Sequence, residues 1–244
     1  MIPSWPVVRF DQIDSTNTEA KRRAATGSFN DQWIVAGQQT AGRGRQGKAW
    51  LSPQGNMYAT ALFNEPGGIA VALRIPFAAA LAVSDTLSEF APGVPVQLKW
   101  PNDVRADRHK LSGILVETGG SPPTLWIAAG TGINVAALPD NPGQAATSLN
   151  ALSGRALDAE QVSDVFRAAF EARVRQARAG FEGMRRDWLA LAEGLGETVS
   201  VKTGDLIVEG IFEDMEPDGG LRLRLPDGAA RIIRAGEVNL LGRT

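Results

Sequence analysis

The 244 residues contain no cysteine and a single histidine, His109. The first absence removes structural disulfides, thiolate nucleophiles and cysteine-held zinc or iron–sulfur sites. The second nearly removes histidine chemistry. A Ser-His-Asp hydrolase would have to run through His109, which sits in the charged, turn-like stretch RADRHK, and no G-x-S-x-G elbow is present. His109 reads as a solvated loop residue. An excess of one charge is lacking too: with 25 basic and 27 acidic side chains the formal charge is -2. No global field recruits nucleic acid or an anionic membrane, so any anion must be captured locally. The opening MIPSWPVVRFDQIDSTN lacks the blocks of a secretion signal, and no run approaches the length of a membrane-spanning helix, so a cytoplasmic location is expected. The available chemistry is that of carboxylates, lysine, arginine and backbone dipoles.

The chain is long enough for one large domain, or for a larger one with a small appendage. Asp14 and Ser15 are cap positions for a short helix over 17–25, ended by Gly27. Strands are predicted over 33–38 and 57–63, and a longer helix from Pro76 to about Phe90. The apolar segments VQLKW, GILVET and TLWIAAGTGINV come next with short turn-rich linkers, the pattern of neighbouring strands in a partly antiparallel sheet. Residues 141–154 read as an irregular connection. Asp158 and Gln161 open a helix to about Ala179 whose Val162, Val165, Phe166, Ala169 and Phe170 share a face, and a second helix carries Met184, Trp188, Leu189 and Leu191. Beyond Gly194 the texture changes to four short strand-like runs broken by Asp-Gly turns, which predicts a small β-barrel. The expected division is 1–194 and 195–244.

Residues 42–47, GRGRQG, fit G-x-G-x-x-G, yet they run directly into KAWLSPQGNMY, in which Pro53, Gly55 and Asn56 forbid the helix that a dinucleotide turn requires. The loop instead combines closely approachable glycine N–H groups with Arg43, Arg45 and Lys48. KWPNDV places a cation, an aromatic ring, a rigid turn, an amide and a carboxylate at a strand end, although as structure alone it is a turn with Trp100 in the core. KLSGILVE sets Lys110 before a strand, with Gly113 leaving room for an approaching group. GTGINV ends another strand with Gly132 and Asn134 able to face a ligand. Each segment alone has an ordinary structural explanation. Their convergence from one sheet, with at least three cations, points to an anionic nucleotide.

In that order and at those intervals, QTAGRGRQGKAW, KWPNDV, KLSGILVE and GTGINV, with DSTNTEA before them and the β-rich tail after, resemble the motif series of the biotin protein ligase family, also called biotin-[acetyl-CoA-carboxylase] ligase. The resemblance covers nearly the whole chain. It implies an α+β fold: a mixed, largely antiparallel sheet with flanking helices, class II aminoacyl-tRNA synthetase-like, plus an SH3-like C-terminal β-barrel. Many members carry an N-terminal helix-turn-helix domain. Here Asp14-Ser15-Thr16-Asn17 comes almost at once, so a ligase without DNA-binding duty is expected.

The activity implied is formation of biotinyl-5′-AMP from biotin and ATP, usually with Mg²⁺, then transfer to a lysine of a biotin carboxyl carrier protein. It requires neutralised anions and excluded water rather than an enzyme nucleophile. By the resemblance, Ser15, Thr16, Asn17 and Gln39 hold biotin's ureido end, while Gly42, Arg43, Gly44 and Arg45 fold over its carboxylate and the α-phosphate. Lys110 contacts that carboxylate near Gly113 and stabilises the transition state. Trp50 covers adenine, Asn102 and Asn134 contact nucleotide with Lys48 nearby, and Asp103 orients the carrier lysine or helps hold metal. Gln46 and Lys48 stand where members often have arginine, which sacrifices bidentate geometry. The glycines predict a loop that is mobile until ligand orders it. An exposed sheet edge could serve homodimerisation or carrier docking. A lipoate-protein ligase, and a nucleic-acid-binding module with an Arg-Gly loop, are the competing expectations.

Overall fold

The structure is a computed structural model that describes residues 5–121, 124–138 and 145–241. Strand β1 (Val7–Ile13) leads into helix α1 (Thr16–Ala25), then β2 (Gln32–Gln39), a single 3₁₀ turn at Arg45–Gly47, β3 (Met57–Glu65), α2 (Gly68–Ala72) and α3 (Ile75–Phe90). Four strands come next: β4 (Val96–Lys99), β5 (Asp103–Ala106), β6 (His109–Ser121) and β7 (Thr124–Ile133). After them come α4 (Leu149–Ser153), α5 (Ala159–Ala179) and α6 (Glu182–Leu189), then β8 (Thr198–Thr203), β9 (Leu206–Met215), β10 (Leu221–Arg224), β11 (Ala230–Ile233) and β12 (Glu237–Leu240).

Seven strands form one mixed sheet in the order β1-β2-β3-β7-β6-β5-β4, antiparallel except for the β1–β2 pair. Strand alternation gives this sheet two faces of different character. Met57, Ala59, Ala61 and Phe63 of β3 and Ile127, Ala129 and Ile133 of β7 join α3 and α5 in the main core. The opposite face of β3, β7 and β6 carries Tyr58, Thr60, Gly132, Gly130, Gly113 and Leu115, with Tyr58 opposite Gly132 and Thr60 opposite Gly130. Helix α1 covers one end of that face, its Ala20 and Ala24 packing on Ile34, Leu62 and Ala128. The remainder of the face, floored by glycine, is left for the site.

Helix α1 starts where expected because the Ser15 side chain accepts from Thr18 N, a cap that contributes about 1 kcal/mol. Pro76 stands in the first turn of α3, and Asp158 caps α5 by accepting from Glu160 N. Several elements depart from the expectations. Strand β1 is an edge strand whose polar Arg9, Asp11 and Gln12 mask it. The turn read in RADRHK falls at Asp107 and Arg108, flanked by β5 and the start of β6: both residues adopt positive φ, 46° and 66°, closing a two-residue hairpin without glycine. His109 is exposed at its base, as expected. Short helices α2 and α4 were not expected, and the irregular connection lies partly outside the described residues. The segment Gly68–Phe90, 23 residues containing an 18-residue window of mean hydropathy 1.5, is long and apolar enough by length and composition to span a membrane, contrary to the expectation. Its α3 packs against the sheet and α5 instead, with most of its residues buried.

The last five strands make an antiparallel sheet in the order β11-β10-β9-β8-β12. There are five rather than four because RIIRAGEV divides at Gly236, sending β11 to β10 and β12 to β8. This sheet is fastened to the first. Trp100 Nε1, beside β4, donates to Gly219 O at 3.0 Å, and Arg185 Nε of α6 donates to Met215 O at 2.6 Å.

Candidate active site

A cavity of about 630 Å³ opens on the glycine-floored face. Every residue expected at the site lines it except Gly42. Gly42 serves the loop's own geometry: a Cβ there would stand 2.3 Å from Trp50 O, and its carbonyl accepts from Trp50 N at 2.9 Å. The loop is a tight excursion, bridged between Arg43 and Ala49 and closed by Gly44 N donating to Lys48 O at 2.7 Å.

At one end, buried polar groups form a socket. Thr16 donates to Gln39 Oε1 through its backbone N at 2.8 Å and its hydroxyl at 3.1 Å. Thr60 Oγ1 lies 2.8 Å from both Thr16 Oγ1 and Asn17 Oδ1, and Gln39 Nε2 donates to Ser52 Oγ at 2.9 Å. Asn17 Nδ2 donates to Leu115 O and Glu117 Oε2, each at 3.1 Å. Asn17 fits only because position 130 is glycine, since a Cβ there would lie 1.9 Å from its Oδ1. Gly130→Ala is therefore expected to destabilise the fold by about 1–3 kcal/mol, or roughly 2–4 °C per kcal/mol in a calorimetric scan. An unchanged Tm would mean that Asn17 is free to move.

At the other end cations gather, and their partners distinguish them. Lys110 Nζ is 2.9 Å from Asp103 Oδ2 and 5.4 Å from the Trp50 ring centroid. Lys48 pairs with Glu237 at 3.0 Å, and Arg43 makes a two-pronged pair with Glu117 at 3.0 and 3.1 Å. Arg45 differs: it donates to Asn102 Oδ1 at 3.0 Å and has no carboxylate within ion-pair distance among the described residues. Burial draws its pKa down, while the more distant Asp103 and Glu237 pull upward. A half-buried guanidinium without a matched anion keeps donors with which an anionic ligand can pair.

The Trp50 ring lies on the floor, where a Cβ at Gly113 or Gly132 would come within 2.7 or 2.4 Å of it. Its Nε1–H is buried with no acceptor among the described residues. Asn102 and Asn134 hold other site residues in place. Asn102 Nδ2 donates to Ile114 O at 2.9 Å, so its amide aims Arg45. Asn134, 2 % exposed, donates to Thr147 O at 3.1 Å and Lys110 O at 3.4 Å, anchoring the backbone beneath the lysine.

Sequence reasoning missed Thr60, Glu117, Tyr58 and the C-terminal Gly236 and Glu237, while Lys99, the cation of KWPNDV, lines the cavity. Strand alternation offered a signal for Glu117, which shares a face with Gly113 and Leu115. No local signal existed for Glu237, which is 189 residues from Lys48. The Lys48 side chain holds the Glu237 carboxyl below its usual range against the opposing effect of burial, and Lys99 and Lys110 add to the lowering. Tyr58, whose hydroxyl donates to Pro53 O at 2.7 Å, is pushed well above the ordinary phenol range by burial.

Comparison with known proteins agrees with this geometry. Residues 9–134 match the Biotin/lipoate A/B protein ligase family, and residues 194–241 match the Biotin protein ligase C terminal domain. The chain is 39% identical over 235 residues to the biotin--[acetyl-CoA-carboxylase] ligase of Paracoccus denitrificans, covering 93% of this chain and 97% of that one. It is 33% identical over 239 residues to the enzyme of the same name from Mycobacterium tuberculosis, covering 93% and 86%. Among solved structures, the biotin protein ligase from Aquifex aeolicus in complex with biotin and ATP superposes with a TM-score of 0.79 at 28% identity, covering 96% of this chain and 98% of that one. On the strength of these matches over both sheets, the chain belongs to the biotin/lipoate A/B protein ligase family.

Proposed function

We propose that this chain is a biotin-[acetyl-CoA-carboxylase] ligase that makes biotinyl-5′-AMP from biotin and ATP and passes the biotinyl group to a lysine of a biotin carboxyl carrier protein domain. The observation that carries this reading is that Arg45 and Lys110 stand in one cavity with the socket of Ser15, Thr16, Asn17 and Gln39. The socket suits a neutral ureido ring, which needs both donors and acceptors. The cations suit a carboxylate meeting a phosphate, two anions that repel each other in water.

In the first step a biotin carboxylate oxygen bonds to the α-phosphorus while the bond from that phosphorus to pyrophosphate breaks. Arg45 and Lys110 neutralise the charge that crowds the reacting atoms. In the second, the neutral amine of the carrier lysine attacks the anhydride carbonyl carbon, AMP leaves with the bonding electrons, and the nitrogen gives up one proton to solvent as the amide forms. Asp103 fixes the Lys110 ammonium and is the carboxylate in reach to orient the incoming amine. Mg²⁺ would arrive on the ATP phosphates. Asp103 and Glu237 are the carboxylates lining the cavity, which suits one or two contacts beside the phosphates rather than an all-protein cage.

The inward pairing of the loop cations supports a small-molecule site over a nucleic-acid surface. Purified protein mixed with biotin, Mg-ATP and an unmodified carrier domain should add the mass of one biotinyl group to the carrier. An unmodified carrier, or pyrophosphate–ATP exchange that required lipoate and ignored biotin, would overturn the assignment.

A further inference from the structure

Glu117 meets more of the site than its place on β6 suggests. Its carboxylate, 19% exposed, accepts from three side chains on two other segments: Asn17 and Lys21 of α1, and Arg43 of the 42–47 loop. Burial alone would raise its pKa, but hydrogen bonds from Asn17, Lys21 and Arg43 outweigh that and hold it below the usual carboxylate range. Oε2 is shared: Asn17 Nδ2 donates to it at 3.1 Å and Arg43 Nη1 at 3.0 Å. The amide bordering the socket and the guanidinium bordering the loop therefore meet on one oxygen, each bonded to it at the same time. Because Glu117 matches its charge, Arg43 differs from Arg45, which stays available to a ligand.

We propose that Glu117 is a positioning residue that holds the 42–47 loop closed over the socket by gripping Arg43 and, through Asn17, couples occupancy of the socket to the loop. Arg43 then works as the loop's fastener, and Arg45, two residues on, is thereby set against Asn102. This deepens the proposed function and rests on it where biotin is concerned. The loop-closure part stands without any ligand.

The test is a double-mutant cycle of E117Q, R43A and the pair. Glutamine keeps an oxygen for Asn17 but offers Arg43 an amide NH₂ in place of the second carboxylate oxygen. Trypsin cleavage after Arg45 and Lys48 of the ligand-free protein is expected to rise about three- to five-fold in each single variant, the equivalent of a partly exposed ion pair. The double variant should be cut no faster than the quicker single one, because both substitutions break the same contact. In biotin-dependent pyrophosphate–ATP exchange, E117Q should raise the KM for biotin by more than it lowers kcat. Unchanged cleavage in E117Q, or a double variant whose rate is the product of the two single effects, would overturn the proposal. If the wild-type protein shows no biotin-dependent exchange, the functional assignment falls while the cleavage cycle still decides the Glu117–Arg43 coupling.

Discussion

Lys110→Ala is expected to slow biotin-dependent pyrophosphate–ATP exchange by about 100- to 1,000-fold, the cost typical of removing one preorganised donor from a developing oxyanion. The lysine is held as such a donor must be. Asp103 fixes its Nζ at 2.9 Å, the Trp50 ring lies beneath it at 5.4 Å, and Asn134 and Ala145 bond the backbone on either side of its peptide. Asp103 occupies one ammonium proton, which leaves donors for an anion in the cavity. Solvent screens this charge little, because the side chain is 19% exposed. The fold should survive, as Asp103 keeps some contact with water. Exchange kinetics beside a thermal melt check both halves, and near wild-type exchange from a folded K110A protein would remove Lys110 from the reaction.

Arg45→Ala is expected to lower exchange by about 100-fold while leaving Tm unchanged or slightly raised. The two effects have opposite signs for one reason. Folding draws this guanidinium out of water beside an amide oxygen rather than a carboxylate, which costs stability, and under the proposed function the same unmatched charge would attract biotin carboxylate and α-phosphate. A variant that melted several degrees lower without losing activity would make Arg45 a structural residue. Among the loop cations, Arg43 and Lys48 lack this opposition because each already has its carboxylate.

Much of this is legible in the order of residues. Caps and turns give away α1, α3 and α5, because a helix end is decided by side chains within three or four residues of it. The motifs give away the cavity, because glycine is required wherever Asn17 or Trp50 must touch backbone, and strand ends hold charged groups rigidly. Structure whose reason lies far along the chain escapes such a reading. Strand β1 is fixed by pairing with β2 rather than by its own mixed polarity, and the β5–β6 hairpin turns on Asp107 and on Arg108, a residue type that seldom adopts positive φ.

The sequence by itself determined which chemistry this protein can hold: a cysteine-free chain with clustered arginine, lysine, glycine and amide groups that must bind anions by local charge. Only the tertiary structure decided which cations of the loop already have a carboxylate partner. Glu117 reaches Arg43 across 74 positions and Glu237 reaches Lys48 across 189. Coulomb attraction depends on distance through space and on burial, neither of which the order of residues records.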